Sequence, residues 1–208
     1  PKLKICIYEK LNSIALESTQ SINNAGTGHA GFCELNYTPL NDHEEINIDR
    51  ALKINREFEV SLQFWSFLAK KYKTFKPKSF ITQVPHISFV HGQQQVDFLK
   101  SRHKGMSDHH FFKEMVYTTD RDTIRSWAPL LLDGRDNIPI AATKMDNGTD
   151  VNFGEVSRKL LGWLGQQEGC GIATRHRVTD LERSDIGWKV TIKDLDTGKY
   201  HTNEAKFV

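Results

Sequence analysis

A short apolar run that ends in an acid, followed by a long polar loop, constrains the fold of this 208-residue chain most. The run, residues 5–9, ends in Glu9, and the loop contains residues 23–31 with three glycines, two asparagines and a histidine. Because glycine has no Cβ atom, backbone at these positions can approach a flat or anionic ligand closely. The glycines follow the acid-ended strand and do not precede it, so the loop is not expected to be a phosphate-binding turn. This order indicates part of a flavin-nucleotide site.

Composition narrows the classes of function. The formal charge of +2 comes from basic residues scattered among acids, so the sequence does not indicate nucleic-acid binding. Cys6, Cys33 and Cys170 lack CxxC spacing and are expected to be ordinary thiols of a reducing compartment. No signal peptide is visible, and no apolar run approaches the roughly 20 residues that span a bilayer. We therefore expect a cytoplasmic chain.

Two segments carry a strong helical pattern. Asp49 is expected to cap a helix whose apolar residues recur at helical spacing as far as Tyr72. Asp150 or Asn152 is expected to open a second helix, with an apolar face that ends near Leu164. Shorter elements are expected as strands at residues 80–84, 86–91 and 140–142, as helices at 94–102 and 120–127, and as a β-meander at 178–200.

Both ends of the chain fall in strand-like runs, at Pro1 and at Val208. Since domain boundaries usually lie in exposed polar linkers, we expect a fragment whose partners are missing on both sides. Such a fragment would leave sheet edges open, and self-association through those edges is expected to compete with folding as a single chain.

Seven blocks occur in an order that closely resembles the malate:quinone oxidoreductases, and the resemblance covers essentially the whole chain. The blocks are residues 8–11 (YEKL), 15–18 (ALES), 23–29 (NNAGTGH), 33–38 (CELNYT), 85–90 (PHISFV), 127–130 (WAPL) and 148–154 (GTDVNFG). A lone glycine motif would be weak evidence, whereas this many ordered blocks are specific. The resemblance implies an enzyme that oxidises (S)-malate to oxaloacetate and passes electrons through FAD to a membrane quinone.

The resemblance also implies the fold, a mixed α/β architecture in which an FAD-binding Rossmann-like domain is interrupted by a substrate domain with an antiparallel sheet and helices. Residues 1–38 would be part of the FAD-binding domain, 39–147 a portion of the substrate domain, and 148–208 the return to the FAD-binding domain. The family's GxGxxG turn would precede Pro1, and further flavin and active-site residues would follow Val208. The isolated fragment is therefore expected to be inactive and to retain little FAD.

Residues at two places are expected to contact FAD. Glu9 ends the first strand, where a dinucleotide fold places an acid that accepts hydrogen bonds from ribose hydroxyls. From local sequence alone, a solvated carboxylate at a strand end is the alternative. By resemblance, a second set lies along the flavin and could tune its electron affinity, with a polar turn as the alternative. This set is Asn23, Asn24, Gly26, Thr27 and Gly28.

The catalytic residues are less constrained. Malate oxidation removes a hydroxyl proton and a hydride, so a neutral histidine near the flavin can serve as base. His29 and His86 are the candidates, although the base could also lie after Val208. The two substrate carboxylates favour Arg135 and Lys144 as ligands, with plain surface charges as the alternative. No metal site is expected, since the chain's histidines lack paired ligand spacing.

Other functions stay open at this stage. The same flavin fold could act on another 2-hydroxy acid, such as 2-hydroxyglutarate. A non-catalytic binding module, in which the glycine-rich loop is only structural, is the alternative from a different class. Quinone reduction would imply peripheral association with the cytoplasmic face of the bacterial inner membrane, which the resemblance alone suggests.

Overall fold

A computed structural model describes residues 3–41, 43, 45–73 and 75–208. The chain divides into two compact units. The first unit is Pro1–Gly26 with Asn152–Val208, and the second unit is Thr27–Val151. Pro1 and Lys2, with which the expected FAD-binding domain begins, lie outside the described residues.

The strands and helices have the following bounds in chain order. The strands are β1 Ile5–Tyr8, β2 Ile81–Gln83, β3 His86–His91, β4 Val116–Thr118, β5 Ile140–Met145, β6 Thr149–Val151, β7 Cys170–Ala173, β8 His176–Ser184, β9 Gly187–Asp194 and β10 Tyr200–Ala205. The helices are α1 Asp49–Lys71, α2 Gln93–Ser107, α3 Arg121–Trp127 and α4 Phe153–Leu164. Short 3₁₀ turns lie at Leu35–Tyr37, Pro77–Ser79 and Pro129–Leu132.

In the first unit, β1 and β7 form a parallel pair in which Ile5 lies opposite Cys170. Helix α4 precedes β7, as the long connection between parallel strands requires. Asn152 caps α4, because its Oδ1 accepts the N–H of Glu155 at 2.9 Å. Of the two residues expected to open this helix, Asn152 is therefore the cap.

The first unit also contains an antiparallel sheet of order β10-β9-β8, which confirms the expected meander. Val190 and Ile192 are its buried side chains. They alternate along β9 with exposed or half-buried residues, as expected for a strand with one covered face. A bulge between Val178 and Asp180 interrupts the pairing of β8 with β9.

The second unit is built around an antiparallel sheet of order β3-β5-β4. Helix α2 covers one face, where Val96 and Leu99 pack against Val90 and Ala141. Helix α3 covers the other face, where Ile124 lies in a cluster with Leu132, Ile140 and Ala142. Because side chains alternate along a strand, these two helices contact different sets of β3 and β5 residues. The pair β2-β6 forms a separate small sheet.

Helix α1 confirms the long helix expected from the sequence, but its cap was predicted wrongly. Asp49 is the first helical residue, and its own N–H donates to Oδ1 of Asn47 at 2.9 Å. The buried side of the helix ends in Trp65 and Leu68. Trp65 packs edge-on against Phe80, with ring centroids 5.6 Å apart.

The first boundary between the units falls after Gly26 and not near residue 38. The reason is packing, because Ala30 and Phe32 are buried in a cluster of the second unit together with Ala51 and Met106. Residues 27–38 therefore belong to the second unit. The chain returns to the first unit at Asn152 and not at residue 148, because β6 pairs with β2 and both strands belong to the second unit.

Candidate active site

Glu9 follows β1 directly and lies at the carboxyl end of the parallel pair. Its N–H donates to the carbonyl of Ala173 at 2.9 Å, and its carbonyl accepts from the N–H of His176 at 2.9 Å. Its Oε1 accepts the N–H of Leu11 at 2.8 Å. The second carboxylate oxygen has no hydrogen-bond partner in the described part of the chain. Glu9 is thus held at the strand end with one oxygen left to accept a ligand hydroxyl.

The two asparagines of the glycine-rich loop fold the first unit's part of that loop onto itself. The side-chain amide of Asn23 donates to the carbonyl of Glu17 at 3.1 Å, and that of Asn24 donates to Ser18 at 3.0 Å. Oδ1 of Asn24 accepts the N–H of Gly26 at 2.9 Å, where φ is +72°. Both polar ends of Asn24 therefore bond within the loop itself, and its contact with a flavin stays a prediction.

Gly28 is required by close packing within the second unit. Its N–H donates to the carbonyl of Thr149 at 2.8 Å, and the preceding Thr27 forms an antiparallel bridge with Asp150. A Cβ atom at residue 28 would lie 2.0 Å from Oγ1 of Thr149 and 2.8 Å from Cζ of Phe58. Glycine is required here because the backbone and side chain of Thr149 lie against residue 28, and the local sequence does not predict this contact.

The loop segment formed by residues 30–33 is held by side chains of three different elements. Asn55 of α1 donates to the carbonyl of Ala30 at 2.8 Å. Nη2 of Arg102 in α2 donates to the carbonyls of Gly31 and Phe32 at 3.3 and 3.0 Å, and Ser88 of β3 donates to that of Cys33 at 2.9 Å. Four consecutive carbonyls thus receive side-chain donors, so the segment has a defined conformation without being a helix or strand.

Arg102 is fully buried and was not singled out from the sequence. Its Nε also donates to Oγ1 of Thr38 at 2.9 Å. Burial lowers the pKa of the guanidinium to about 10, which leaves it charged at neutral pH. A signal was present, because Arg102 follows Val96 and Leu99 at helical spacing and precedes Met106, so it occupies a core position of α2.

His29 and Glu34 stand on either side of this loop segment and contact each other. Nδ1 of His29 lies 2.7 Å from Oε1 of Glu34, and the hydroxyl of Tyr37 lies 3.5 Å from the same Nδ1. The Glu34 side chain is only 16% exposed, whereas that of His29 is 52% exposed. A carboxylate that accepts from Nδ1–H leaves Nε2 of a neutral imidazole as a proton acceptor.

Arg50 extends this cluster and was not predicted from the sequence. Its guanidinium carbon lies 4.9 Å from the centroid of the Tyr37 ring, and its side chain is exposed. Among the described residues it has no carboxylate partner. Arg50 therefore brings a positive charge to the side of the cluster that carries Tyr37.

His86, the second histidine expected to act as base, has a different environment. It is buried, and its Nε2 lies 3.1 Å from the carbonyl of Thr149. Because a carbonyl only accepts, Nε2 carries the proton, and Nδ1 is an acceptor that has no partner within the described residues. The ring packs against Phe32 and against Gly148, where a Cβ would lie 2.4 Å from Cδ2 of His86.

Arg135 and Lys144 lie on the α3 side of the β3-β5-β4 sheet. Arg135 donates to the carbonyls of Leu131 and Asp133, and its guanidinium lies 5.7 Å from the Phe89 ring centroid. Lys144 forms an ion pair of 2.8 Å with Asp146. Lys144 pairs across the strands with Ile87, whereas His86 and Ser88 point to the opposite face. The structure does not bring the two basic residues together with His29.

The described cysteines and metal-binding side chains outside this cluster do not form a second reactive centre. Burial raises the pKa of Cys33 to about 12, so this thiol stays protonated and unreactive at neutral pH. The chain's other cysteines, Cys6 and Cys170, are also free thiols. Across the part of the chain that the structure describes, no cluster of three His, Cys, Asp or Glu side chains is placed to hold a metal ion. No helix in that part is both long and apolar enough to cross a membrane.

Solved structures of low sequence identity share the fold of this chain. An L-amino acid deaminase from Proteus myxofaciens matches 92% of this chain and 37% of its own, with 13% identity and a TM-score of 0.51. An L-α-glycerophosphate oxidase from Mycoplasma pneumoniae, solved with FAD bound, matches 91% of this chain and 43% of its own, with 16% identity and a TM-score of 0.50. These likenesses establish the mixed α/β fold of the chain.

Sequence comparisons define the family. The model of the malate:quinone oxidoreductase family matches residues 1–208. A probable malate:quinone oxidoreductase 2 of Pseudomonas aeruginosa is 47% identical over all of this chain, which covers 41% of that protein. A probable malate:quinone oxidoreductase of Tolumonas auensis is 46% identical, with 43% of its length covered. The chain thus spans about two fifths of the length of these relatives, and it belongs to the malate:quinone oxidoreductase family.

Proposed function

We propose that the full-length protein oxidises (S)-malate to oxaloacetate, with FAD as the hydride acceptor and a membrane quinone as the final electron acceptor. The family match over the whole chain supports this reaction. The observation that carries the chemical assignment is the pair of His29 and Glu34, because a histidine oriented by a carboxylate is the side-chain arrangement that hydroxyl deprotonation needs.

The residues of the first unit fit a flavin nucleotide at Glu9. Its available carboxylate oxygen, at the carboxyl end of a parallel strand, matches the acid that binds ribose hydroxyls in dinucleotide folds. Bound FAD supplies the electrophilic ring that accepts a hydride from the substrate carbon. Gly26, Thr27 and Gly28 stay predicted contacts of that ligand, which their bonds do not favour, since the N–H groups of Gly26 and Gly28 already donate to Asn24 and Thr149. We propose that the asparagine side chains contribute by fixing the first unit's part of the loop.

His29 is proposed as the general base. Its Nε2 takes the proton of the substrate hydroxyl while the hydride leaves the neighbouring carbon, so that the alcohol loses one proton to His29 and one hydride, which carries both electrons, to its acceptor. Glu34, 2.7 Å from Nδ1, stabilises the imidazolium that results. The fixed loop segment at residues 30–33 sets the distance between the two side chains, so little reorganisation is needed when the proton moves.

Arg50 is proposed as a ligand of a substrate carboxylate. Its guanidinium is exposed and lies over Tyr37, whose hydroxyl approaches Nδ1 of His29. The planar guanidinium matches a carboxylate with two parallel hydrogen bonds. Arg135 and Lys144 stay predictions that their contacts do not favour, since Nη1 of Arg135 already bonds to two local carbonyls and Nζ of Lys144 is paired with Asp146.

The test is steady-state oxidation of malate by the full-length enzyme with a quinone acceptor. His29→Asn is expected to lower kcat by about 100-fold or more, because a positioned base contributes roughly 10²–10⁴ in rate. His86→Asn is expected to lower stability while leaving kcat within about tenfold. His91→Asn is the control, since His91 is exposed at the end of β3. Full activity of His29→Asn with an inactive, folded His86→Asn would reverse the assignment.

The same assay separates the alternatives. Comparison of kcat/KM for malate with that for 2-hydroxyglutarate identifies the substrate class of the full-length enzyme. A full-length protein that contains no flavin and oxidises neither acid would instead be a binding module. For the isolated 208-residue chain we expect little bound FAD and no turnover, and a yellow, stoichiometric complex of this chain would contradict that expectation.

A further inference from the structure

Helix α1 has a second apolar face that points to solvent. Val60, Phe64 and Phe67 are 64%, 48% and 53% exposed. Their spacing of four and three residues places them on one exposed stripe of the helix, which borders the buried side that contains Trp65 and Leu68. Large apolar side chains grouped on a surface mark an interaction site more often than single exposed ones do.

The end of this stripe is strongly basic. The exposed lysines that follow it are Lys70, Lys71, Lys73, Lys76 and Lys78. No acidic residue occurs in the sequence between Glu59 and Asp97, so these charges have no acidic neighbours along the chain. The Nζ of Lys71 lies 5.4 Å from the ring centroid of Phe67, which joins the basic and aromatic groups into one surface.

The acids of α1 lie toward its other end. Glu57 lies 4.0 Å from Lys53, and Glu59 precedes the apolar stripe by one residue. The surface from Val60 to Lys78 is therefore apolar and positively charged, while the first half of the helix is mixed in charge. Beside Phe67, an open groove lined by Leu62, Gln63 and Ser66 adds further accessible surface to the apolar stripe.

We propose that this surface, which we name the α1 face and which comprises Val60, Phe64 and Phe67 with the five lysines, binds an anionic phospholipid membrane. Aromatic side chains can insert at the boundary between headgroups and acyl chains, and the lysine amines can remain among the phosphates. An anionic leaflet attracts such a basic cluster. A protein partner is the weaker match, because lysine is depleted at the cores of protein interfaces.

The proposal extends the function proposed above, since a quinone acceptor resides in a membrane, but its evidence is the surface of α1 alone. The proposal of membrane binding and the proposal of malate oxidation can each be wrong while the other holds. Membrane binding is measured without malate or turnover, and malate oxidation is measured with a water-soluble acceptor in the absence of membranes.

The experiment is sedimentation of the full-length protein with vesicles of phosphatidylcholine, with and without phosphatidylglycerol. Wild-type protein is expected to bind the anionic vesicles and to dissociate as salt is raised. Phe64→Ser with Phe67→Ser is expected to lower the bound fraction about tenfold. The triple change of Lys70, Lys71 and Lys73 to Gln is expected to abolish the preference for phosphatidylglycerol.

The matched control changes Lys100, Lys104 and Lys113 to Gln, which removes the same charge from exposed positions elsewhere in the second unit. It is expected to bind vesicles as wild type does. The proposal is overturned if this control loses as much vesicle binding as the α1 variants do, or if both α1 variants bind vesicles as wild type does. Wild-type full-length protein that does not bind anionic vesicles overturns it as well, since the α1 face is then not available to a membrane.

Discussion

Nδ1 of His29 lies 2.7 Å from Oε1 of Glu34, across a loop segment whose four carbonyls are held by side chains. Glu34 has a positioning role in this pair, because it contacts the proposed base and not the substrate. Its largely buried carboxylate interacts more strongly with an imidazolium than an exposed one would. Replacing Glu34 with a neutral side chain is therefore expected to affect the catalytic step specifically.

Glu34→Gln is expected to lower kcat for malate about tenfold or more, while KM and the FAD content of the full-length enzyme change little. The reason is that a charge-assisted hydrogen bond is roughly twice as strong as a neutral one, and only the imidazolium formed during turnover needs the charge. Glu57→Gln, at an exposed acid of α1, is the control. A rise in KM with unchanged kcat would show instead that Glu34 serves substrate binding.

Arg102→Met is expected to lower the free energy of unfolding of the full-length protein by about 3 kcal/mol. The substitution keeps most of the buried volume but leaves the carbonyls of Gly31 and Phe32 without donors, and each such group costs roughly 1–3 kcal/mol. Urea unfolding measures the change. Lys100→Met, on the exposed side of the same helix, should stay within about 0.5 kcal/mol of wild type, and an equal loss in both variants would contradict the assigned role.

Gly28→Ala is expected to lower stability by about 1–3 kcal/mol, the usual cost of overpacking. The new Cβ would lie 2.0 Å from Oγ1 of Thr149, and the combined change with Thr149→Ala should recover part of the loss. Gly162→Ala lies in the interior of α4, where an added Cβ would meet no described heavy atom within 4 Å apart from the helix's own backbone and the adjacent residues. It should instead raise stability by about 0.5–1 kcal/mol. Thermal unfolding checks all three, and an unchanged melting temperature for Gly28→Ala would disprove the packing explanation.

The contribution of the Asp194 carboxylate to stability is expected to depend on pH in the acid range. Its carboxylate accepts the hydroxyl of Thr197 and the N–H groups of Asp196 and Thr197, and these bonds lower its pKa to about 2. Because the folded pKa is below the ordinary value of 3.8, the stabilising effect is present above that value and is lost as the pH falls toward 2.

The measurement is the difference in Tm between wild type and Asp194→Ala across this range. The difference should be largest near neutrality and should be mostly lost by pH 2. Asp185→Ala, at an exposed acid of the preceding turn, is the matched control. A difference that persists unchanged at pH 2 would mean that the carboxylate charge does not stabilise this turn.

Elements with local signals were predictable from the sequence. The long α1, the cap at Asn152 and the meander around β9 depend on helical spacing, a capping side chain and turn residues, all of which lie within a few positions of one another. The extent of α2 and β5 was underestimated, because Arg102 and Lys144 interrupt their apolar patterns. In the folded chain Arg102 is a core residue, and Lys144 forms an ion pair with Asp146.

The candidate site was only partly predictable. His29 was recognised as a candidate base, but its partner Glu34 was seen only as part of a family motif. The reason for Gly28 lies 121 residues further along the chain, at Thr149, and no local pattern encodes such a contact. Arg50 resembles any exposed helical charge until its position over Tyr37 is known.

The side-chain bonds to residues 30–33 also set an order of events during synthesis. Their donors lie later in the chain, at Asn55, Ser88 and Arg102, so a ribosome must make about 70 further residues before the last donor exists. Until α2 has docked, the carbonyls of Gly31 and Phe32 can bond only to water, and the distance between His29 and Glu34 is not set. This loop is therefore made well before it is fully held, because the last of its bonds form only after α2 has been made and has docked.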